Sequence, residues 1–186
     1  MRKSREEALE TRKRIVSTAA AEIRKNGIVA SGLNELMAAA GLTRGGFYKH
    51  FESKNQLIAE ACSEAMNALL VRLATTAAKG MNPSTGYLDS HHRDHPESGC
   101  PLSAIGAELA RCDDATRSVA TKGFSELVEL LAKHFGAEAK PESRQRAIVA
   151  VSTMIGALTM ARAVNDQKLS AEILREAKQS LSGPTP

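Results

Sequence analysis

The first 82 residues contain no proline, and the apolar residues among them recur at three- and four-residue intervals, so this stretch reads as helix interrupted only by short turns. Val16, Ala19, Ala20 and Ile23 fall at i, i+3, i+4 and i+7, with Arg12, Lys13, Arg14, Arg24 and Lys25 off that stripe. Gly27 is the expected C-cap of a helix over 9–25. The same spacing returns in Leu33, Leu36, Met37 and Ala40, a short second helix that begins after Ser31 and stops at Gly41. Thr43 is placed to cap a third short helix through Phe51. Ser53 is placed to cap a fourth, longer one carrying Leu57, Ile58, Ala61, Ala65, Leu69 and Leu73 on one side. With 30 alanines and no alternating β-branched runs, a strand-rich fold is disfavoured and the expected class is all-α.

Beyond residue 82 the pattern breaks up, with Pro83, Pro96, Pro101 and Pro141 as punctuation. Met81 to Gly99 reads as a surface loop carrying His91, His92 and His95, and Pro101 as the N1 residue of a helix to Arg111. Further helices are expected over 115–135, 142–164 and 170–181, the last opened by Ser170, with 183–186 a disordered tail. Residues 1–60 hold 11 basic and 7 acidic side chains, whereas residues 61–186 hold 14 of each, so all the excess positive charge lies in the first third. Three cysteines, at 62, 100 and 112, form no C-x-x-C pair and leave an odd thiol, which fits a reducing compartment. The basic start runs into Glu6, Glu7 and Glu10 and not into an apolar signal region. The longest uncharged stretch, 147–161, has 15 residues against the ~20 that span a bilayer, so a soluble, cytoplasmic chain without a membrane partner is expected.

Two short helices joined by Gly41-Leu42-Thr43 in a basic region have the form of a helix-turn-helix, whose second helix enters the DNA major groove. Gly45 and Gly46 lie inside that second helix, where each costs about 1 kcal/mol relative to alanine, and close approach to another backbone explains their presence. Arg44 and Lys49 are then candidates for guanine edges and the Tyr48 hydroxyl for a phosphate, while Phe47 and Phe51, four apart, anchor the helix on the core. Lys54, a cation in the first turn of the next helix, opposes the helix dipole and is read as a phosphate contact. Arg2, Lys3 and Arg5 are either a solubilising arm or a minor-groove contact.

The stretch Gly41-Leu42-Thr43-Arg44-Gly45-Gly46-Phe47-Tyr48-Lys49-His50-Phe51-Glu52-Ser53-Lys54 resembles the signature of tetracycline-repressor (TetR) type regulators, and with the helices before it the resemblance covers residues 10–60. Glu97 to Leu102 resembles, more weakly, the middle of one branch of that family. The resemblance implies a bacterial one-component transcription factor with a three-helix DNA-binding domain (1–52), a helical ligand-binding and dimerisation domain (53–182), and a homodimer. The implied DNA contacts are Ser31, Gly32, Thr43, Arg44, Gly45, Gly46, Tyr48, Lys49, His50 and Lys54. Gly32 departs from the pattern, since many members carry Ser or Thr there, and Ser31 holds the nearest hydroxyl.

In the second half no residue between Arg146 and Arg162 is charged, so the helix there is apolar on nearly every side and needs burial on every side. Either it is an intramolecular core helix or a two-fold partner covers it. The expected interface joins Phe124, Leu127 and Leu131 of one helix to Val151, Ile155 and Leu158 of the other. The resemblance implies a ligand cavity among the fourth helix, the Cys100 region and the two long helices. Met66, Leu70, Cys100, Leu102, Ile105, Phe124 and Met154 are its expected lining and an apolar or aromatic effector its expected occupant. The fourth helix is implied to carry the signal to the helix-turn-helix. An alternative is metal binding by His91, His95 and Cys100, or thiol sensing by a Cys100 thiolate at the helix N-terminus that Pro101 opens. No cofactor is expected. A small helical enzyme finds no nucleophile-base spacing, phosphate loop or carboxylate pair in support.

Overall fold

Described here are residues 5–136 and 141–182 of the computed structural model, and within them every regular element is a helix. The readings of Arg2 and Lys3 and of the tail at 183–186 lie outside the described residues. In chain order the helices are α1 (Arg5–Asn26), α2 (Leu33–Ala39), a 3₁₀ segment (Arg44–Lys49), α3 (Lys54–Ala78), α4 (Pro83–Tyr87), α5 (Ser90–Asp94), a second 3₁₀ segment (Pro96–Ser98), α6 (Pro101–Leu109), α7 (Asp114–Phe135), α8 (Pro141–Ala163) and α9 (Gln167–Ser182).

Local chemistry sets most of these boundaries. Helix α1 starts four residues before the expected point, with Glu6 and Glu7 in its first turn and Arg24 and Lys25 in its last, each charge suiting the helix dipole. Ser53 caps α3 as expected, its hydroxyl accepting from the Gln56 N–H at 3.1 Å. The 81–99 stretch is not the loop that its turn residues suggest. Asn82 caps α4 by accepting from the Ser84 N–H, Asp89 caps α5 by accepting from the His92 N–H at 2.7 Å, and each five-residue helix follows from its Asx cap. Ser170 does not open the last helix. The Asp166 carboxylate takes the N–H groups of Lys168 and Leu169, which starts α9 three residues earlier, and Ser170 is buried with its hydroxyl donating to the Ala161 carbonyl at 2.6 Å.

Helix α3 is the spine. Leu57, Ile58, Ala61, Cys62 and Ala65 pack into a first core with Ile15, Ala19 and Ile23 of α1 and with Phe47 and Phe51. Met66, Leu69 and Leu73 continue into a second core with Leu127 and Leu131 of α7 and Val151, Met154 and Leu158 of α8. Ile105 and Leu109 of α6 belong to the first core, so the two halves share side chains across the expected boundary at 52/53.

Helix α8 is enclosed on one side only. Ala147, Ala150, Val151, Met154, Leu158 and Ala161 are buried, while Val149 (59 %) and Met160 (50 %) are exposed, with Ser152 and Gly156 exposed between them on the opposite side. By length and composition α8 alone among the described helices is apolar enough to cross a membrane, yet its buried residues are the middle of the second core.

Where α5, α6 and α8 meet, His92 bridges two backbone segments. The Cys100 N–H donates to Nε2 at 2.8 Å, and since a backbone N–H can only donate, the ring proton sits on Nδ1 and is given to the Tyr87 carbonyl at 2.8 Å. Burial lowers the His92 pKa from 6.5 to about 4, because the charged ring would lose solvation as well as the Cys100 bond. Neutral His92 therefore contributes stability that is complete above the unfolded value of 6.5 and is lost as pH falls through about 4. Unfolding by urea at pH 7 and pH 4.5 is expected to show a larger acid loss for the wild type than for His92→Gln, the difference being on the order of 2 kcal/mol.

Candidate nucleic-acid interface

The turn that separates α2 from the 3₁₀ segment is built by Gly41. Its φ of +70° lets its N–H reach the Ala38 carbonyl and the Leu42 N–H reach the Met37 carbonyl, both at 2.9 Å, closing α2 in a Schellman motif. The chain then turns into Arg44–Lys49. This segment is 3₁₀ and not the expected α-helix, and Thr43 at its N-cap makes no side-chain cap, which leaves that hydroxyl exposed. Two consecutive glycines weaken helix continuity enough for the tighter form to prevail.

The segment is held from beneath. Phe47 is fully buried and stacks on Phe51 with ring centroids 5.4 Å apart and planes 22° apart. Arg12 of α1 lies over the Phe51 ring at 4.6 Å, donates to the His50 carbonyl at 3.3 Å and pairs with Glu60 of α3 at 2.6 Å. Nothing in the hydrophobic spacing marks Arg12 for this role, since it reads as one more charge off the apolar stripe. The opposite side faces out: Arg44, Gly45, Tyr48 and Lys49 are exposed, Tyr48 to 66 %, its ring edge-on to Phe47 at 5.2 Å.

A Cβ added at Gly45 meets nothing within 4 Å, and one at Gly46 only the Met37 methyl at 3.9 Å, and neither glycine has positive φ. Neither packing nor backbone geometry within the protomer calls for glycine at these positions. The other expected contacts stand differently. Ser31 is 3 % exposed and its hydroxyl donates to the Gly27 carbonyl at 2.7 Å, so it does not replace the hydroxyl missing at position 32. Gly32 is the N-cap of α2 and a Cβ there would land on the Glu35 carboxylate, an acid in the first turn that no sequence pattern singled out. Lys54 is half-buried and donates to the Ile28 carbonyl at 3.2 Å, tying α3 to the α1–α2 turn. His50 is half-buried, its ring tilted against Phe51 at 6.5 Å.

The expected effector and dimer residues are also placed. Met66, Cys100 and Met154 lie in the second core with Leu70, Leu102 and Phe124 packed against it, and Ile105 is in the first core. A cleft of about 320 Å³ opens beside them, lined instead by Leu69, Arg72, Leu73, Tyr87, Asp89 and His91 among others. Leu127, Leu131, Val151 and Leu158 fill the chain's own core and are not a surface, whereas Phe124 and Ile155 are part-exposed. His91 and His95 stand ring to ring at 4.4 Å, but Cys100 is fully buried, and among the described residues no group of three metal-binding side chains assembles. Burial raises the Cys100 thiol pKa despite nearby Tyr87 and Ser103, which is the reverse of the thiolate expected at a helix N-terminus. Burial likewise pushes Cys62 up to about 12.

Residues 15–61 match the profile of bacterial regulatory proteins of the tetR family, and residues 85–179 that of the C-terminal domain of LmrA/YxaF-like transcriptional regulators. An uncharacterized HTH-type transcriptional regulator of Mycobacterium tuberculosis is 28% identical over 167 residues, 83% of this chain and 86% of that protein. The probable acrEF/envCD operon repressor of Escherichia coli is 41% identical over 59 residues, 32% of this chain and 27% of its own. The crystal structure of a TetR transcriptional regulator from Chloroflexus aurantiacus superposes with a TM-score of 0.77 at 28% identity, covering 95% of this chain and 94% of that one.

The two sides of the 3₁₀ segment are expected to respond oppositely in denaturant unfolding. Phe47→Ala lowers stability by about 3–5 kcal/mol, whereas Gly45→Ala leaves it unchanged or raises it by up to about 1 kcal/mol.

Proposed function

This chain belongs to the tetR family of bacterial regulatory proteins, whose members are transcriptional regulators and not enzymes, and from that premise we propose that it is a homodimeric repressor released from a palindromic operator by a small effector. The observation that carries the DNA-reading half is the outward pair Gly45 and Gly46, set between exposed Arg44 and Lys49 on a segment locked from below by Phe47. Glycines that the protomer does not need leave a surface on which a phosphate backbone or base edge can come close. Thr43 and Tyr48 then position the segment on phosphates, and Arg44 and Lys49 read bases. Repression is supported by the description of the E. coli relative as an operon repressor. The site of action is the cytoplasm, where a bacterial regulator meets its DNA.

The dimer reading rests on α8. Its uncharged outer side, with Val149, Ser152, Gly156 and Met160 exposed and Ile155 part-exposed, gives a partner both apolar surface and small residues for close helix approach. Phe124 of α7 joins it, and these residues replace Leu127, Leu131, Val151 and Leu158 as the interface. Two reading segments then face half-sites separated by whole helical turns of DNA. An effector releases DNA only by binding more tightly to a conformation in which that separation is wrong.

Titration into labelled DNA from upstream of its own gene, against scrambled competitor and at several salt concentrations, is expected to give competitor-resistant binding with a steep salt slope. Equal weak binding to both DNAs and to a random pool would overturn the reading. In the same assay Arg44→Ala is expected to cost about 1–3 kcal/mol and relax base preference, and Tyr48→Phe to weaken all sequences alike. Met160→Glu is expected to shift sedimentation from dimer to monomer and to abolish operator binding with it, while Asn165→Glu, at an exposed position in the turn between α8 and α9, does neither.

A further inference from the structure

The cleft between the C-terminal half of α3 and the 86–98 stretch combines two kinds of lining. Leu69, Leu73 and the ring of Tyr87 are buried apolar surface, and Arg72, Asp89 and His91 are polar, Arg72 and His91 being exposed. Its volume of about 320 Å³ is at the lower end of the roughly 300–1,000 Å³ that small-molecule pockets occupy. Gly86 forms part of the wall, and a Cβ there meets nothing within 4 Å, so the open space reaches the backbone.

The charges around the cleft are unevenly matched. Asp89, the one acid in the lining, accepts from the His92 N–H as the cap of α5, Asp94 pairs with Arg93 at 2.7 Å, and Glu97 lies within hydrogen-bond distance of His95 Nδ1 at 3.1 Å. Arg72 donates to the Ser98 carbonyl at 3.2 Å, and among the described residues it forms no ion pair with an acid. A guanidinium has five N–H donors in a fixed fork, so one carbonyl leaves most of them for another acceptor.

We propose that this cleft binds a small organic anion, an apolar ring or chain bearing a carboxylate, sulfonate or phenolate, with Arg72 as its counter-ion. This adds a charged group to the apolar or aromatic effector expected from the sequence. It rests on the reading of the chain as an effector-controlled regulator and gives that effector a charge. The location supplies a route outward as well. Arg72 holds the Ser98 carbonyl, and the adjoining Glu97 carbonyl is held by Arg24 of α1, so an anion that draws Arg72 away acts on the segment that anchors the DNA-binding half.

The test uses two dyes with the same ring pair, 8-anilinonaphthalene-1-sulfonate and neutral N-phenyl-1-naphthylamine, whose emission rises in apolar surroundings. The full-length protein is expected to bind the sulfonate saturably, one per protomer and at least tenfold more tightly than the amine. Arg72→Gln is expected to lose about tenfold in sulfonate affinity and none in amine affinity, Arg72→Lys to recover part of the loss, and Gly86→Leu to remove both dyes. Equal affinity for the two dyes, or undiminished sulfonate binding in Arg72→Gln at wild-type melting temperature, would overturn the proposal. Dye binding is read without DNA, so its failure is separate from failure of the operator titration.

Discussion

Four backbone carbonyls between His92 and Ser98 are held by guanidinium groups from three different helices, and the relation between the two halves of the chain depends on them. Arg162 of α8 takes the carbonyls of His92 and Arg93, Arg24 of α1 takes that of Glu97 through both Nε and Nη2, and Arg72 of α3 takes that of Ser98. Carbonyls in the last turn of a helix as short as α5 have no helical partner, and burying them unpaired costs about 1–3 kcal/mol each. Arg24 and Arg162 are themselves buried enough that desolvation lowers their pKa, so each depends on these carbonyls as much as the carbonyls depend on it. The result is a short segment that cannot shift without disturbing α1, α3 and α8 together. Glu108 of α6 adds a second tie by accepting from the Val29 N–H in the α1–α2 turn at 2.9 Å.

From this follows a division of labour in the N-terminal half. Helix α1 faces the 92–98 segment through Arg24 at one end and the reading segment through Arg12 at the other. One helix thus touches both the Glu97 carbonyl and the His50 carbonyl at the end of the 3₁₀ segment. At the far end Phe47 and Phe51 fix the segment from below, while its upper side is left without any protein contact that requires Gly45 or Gly46. Precision beneath and vacancy above are what a surface needs when its remaining contacts are made by another molecule.

Much of this was legible in the sequence because it is local. Most of the helices, the Ser53 cap and the turn at Gly41 follow from residues three or four apart, and the meaning of the paired glycines follows from their poor helix propensity. Less legible was anything decided by distant neighbours. The Asx caps at Asn82 and Asp89 were present as signals, yet surrounding turn residues and histidines outweighed them. His92 looked like one of three surface histidines, and only its partners Tyr87 and Cys100 make it a buried neutral bridge. Ser31 and Lys54 carry donors suited to a phosphate, yet in the fold they donate to the carbonyls of Gly27 and Ile28.

Helix α8 states the boundary most clearly. The sequence by itself determined an uncharged helix with surplus apolar surface, because composition and a 3.6-residue period settle how much must be covered. Which side the protomer covers and which it leaves outward was decided by the approach of α7, α6 and α9, and that turned Val151 and Leu158 inward and Val149 and Met160 outward. The same holds for the arginines. Their charge is written in the sequence, but a long flexible side chain takes its partner from whatever carbonyl the packed helices bring within reach.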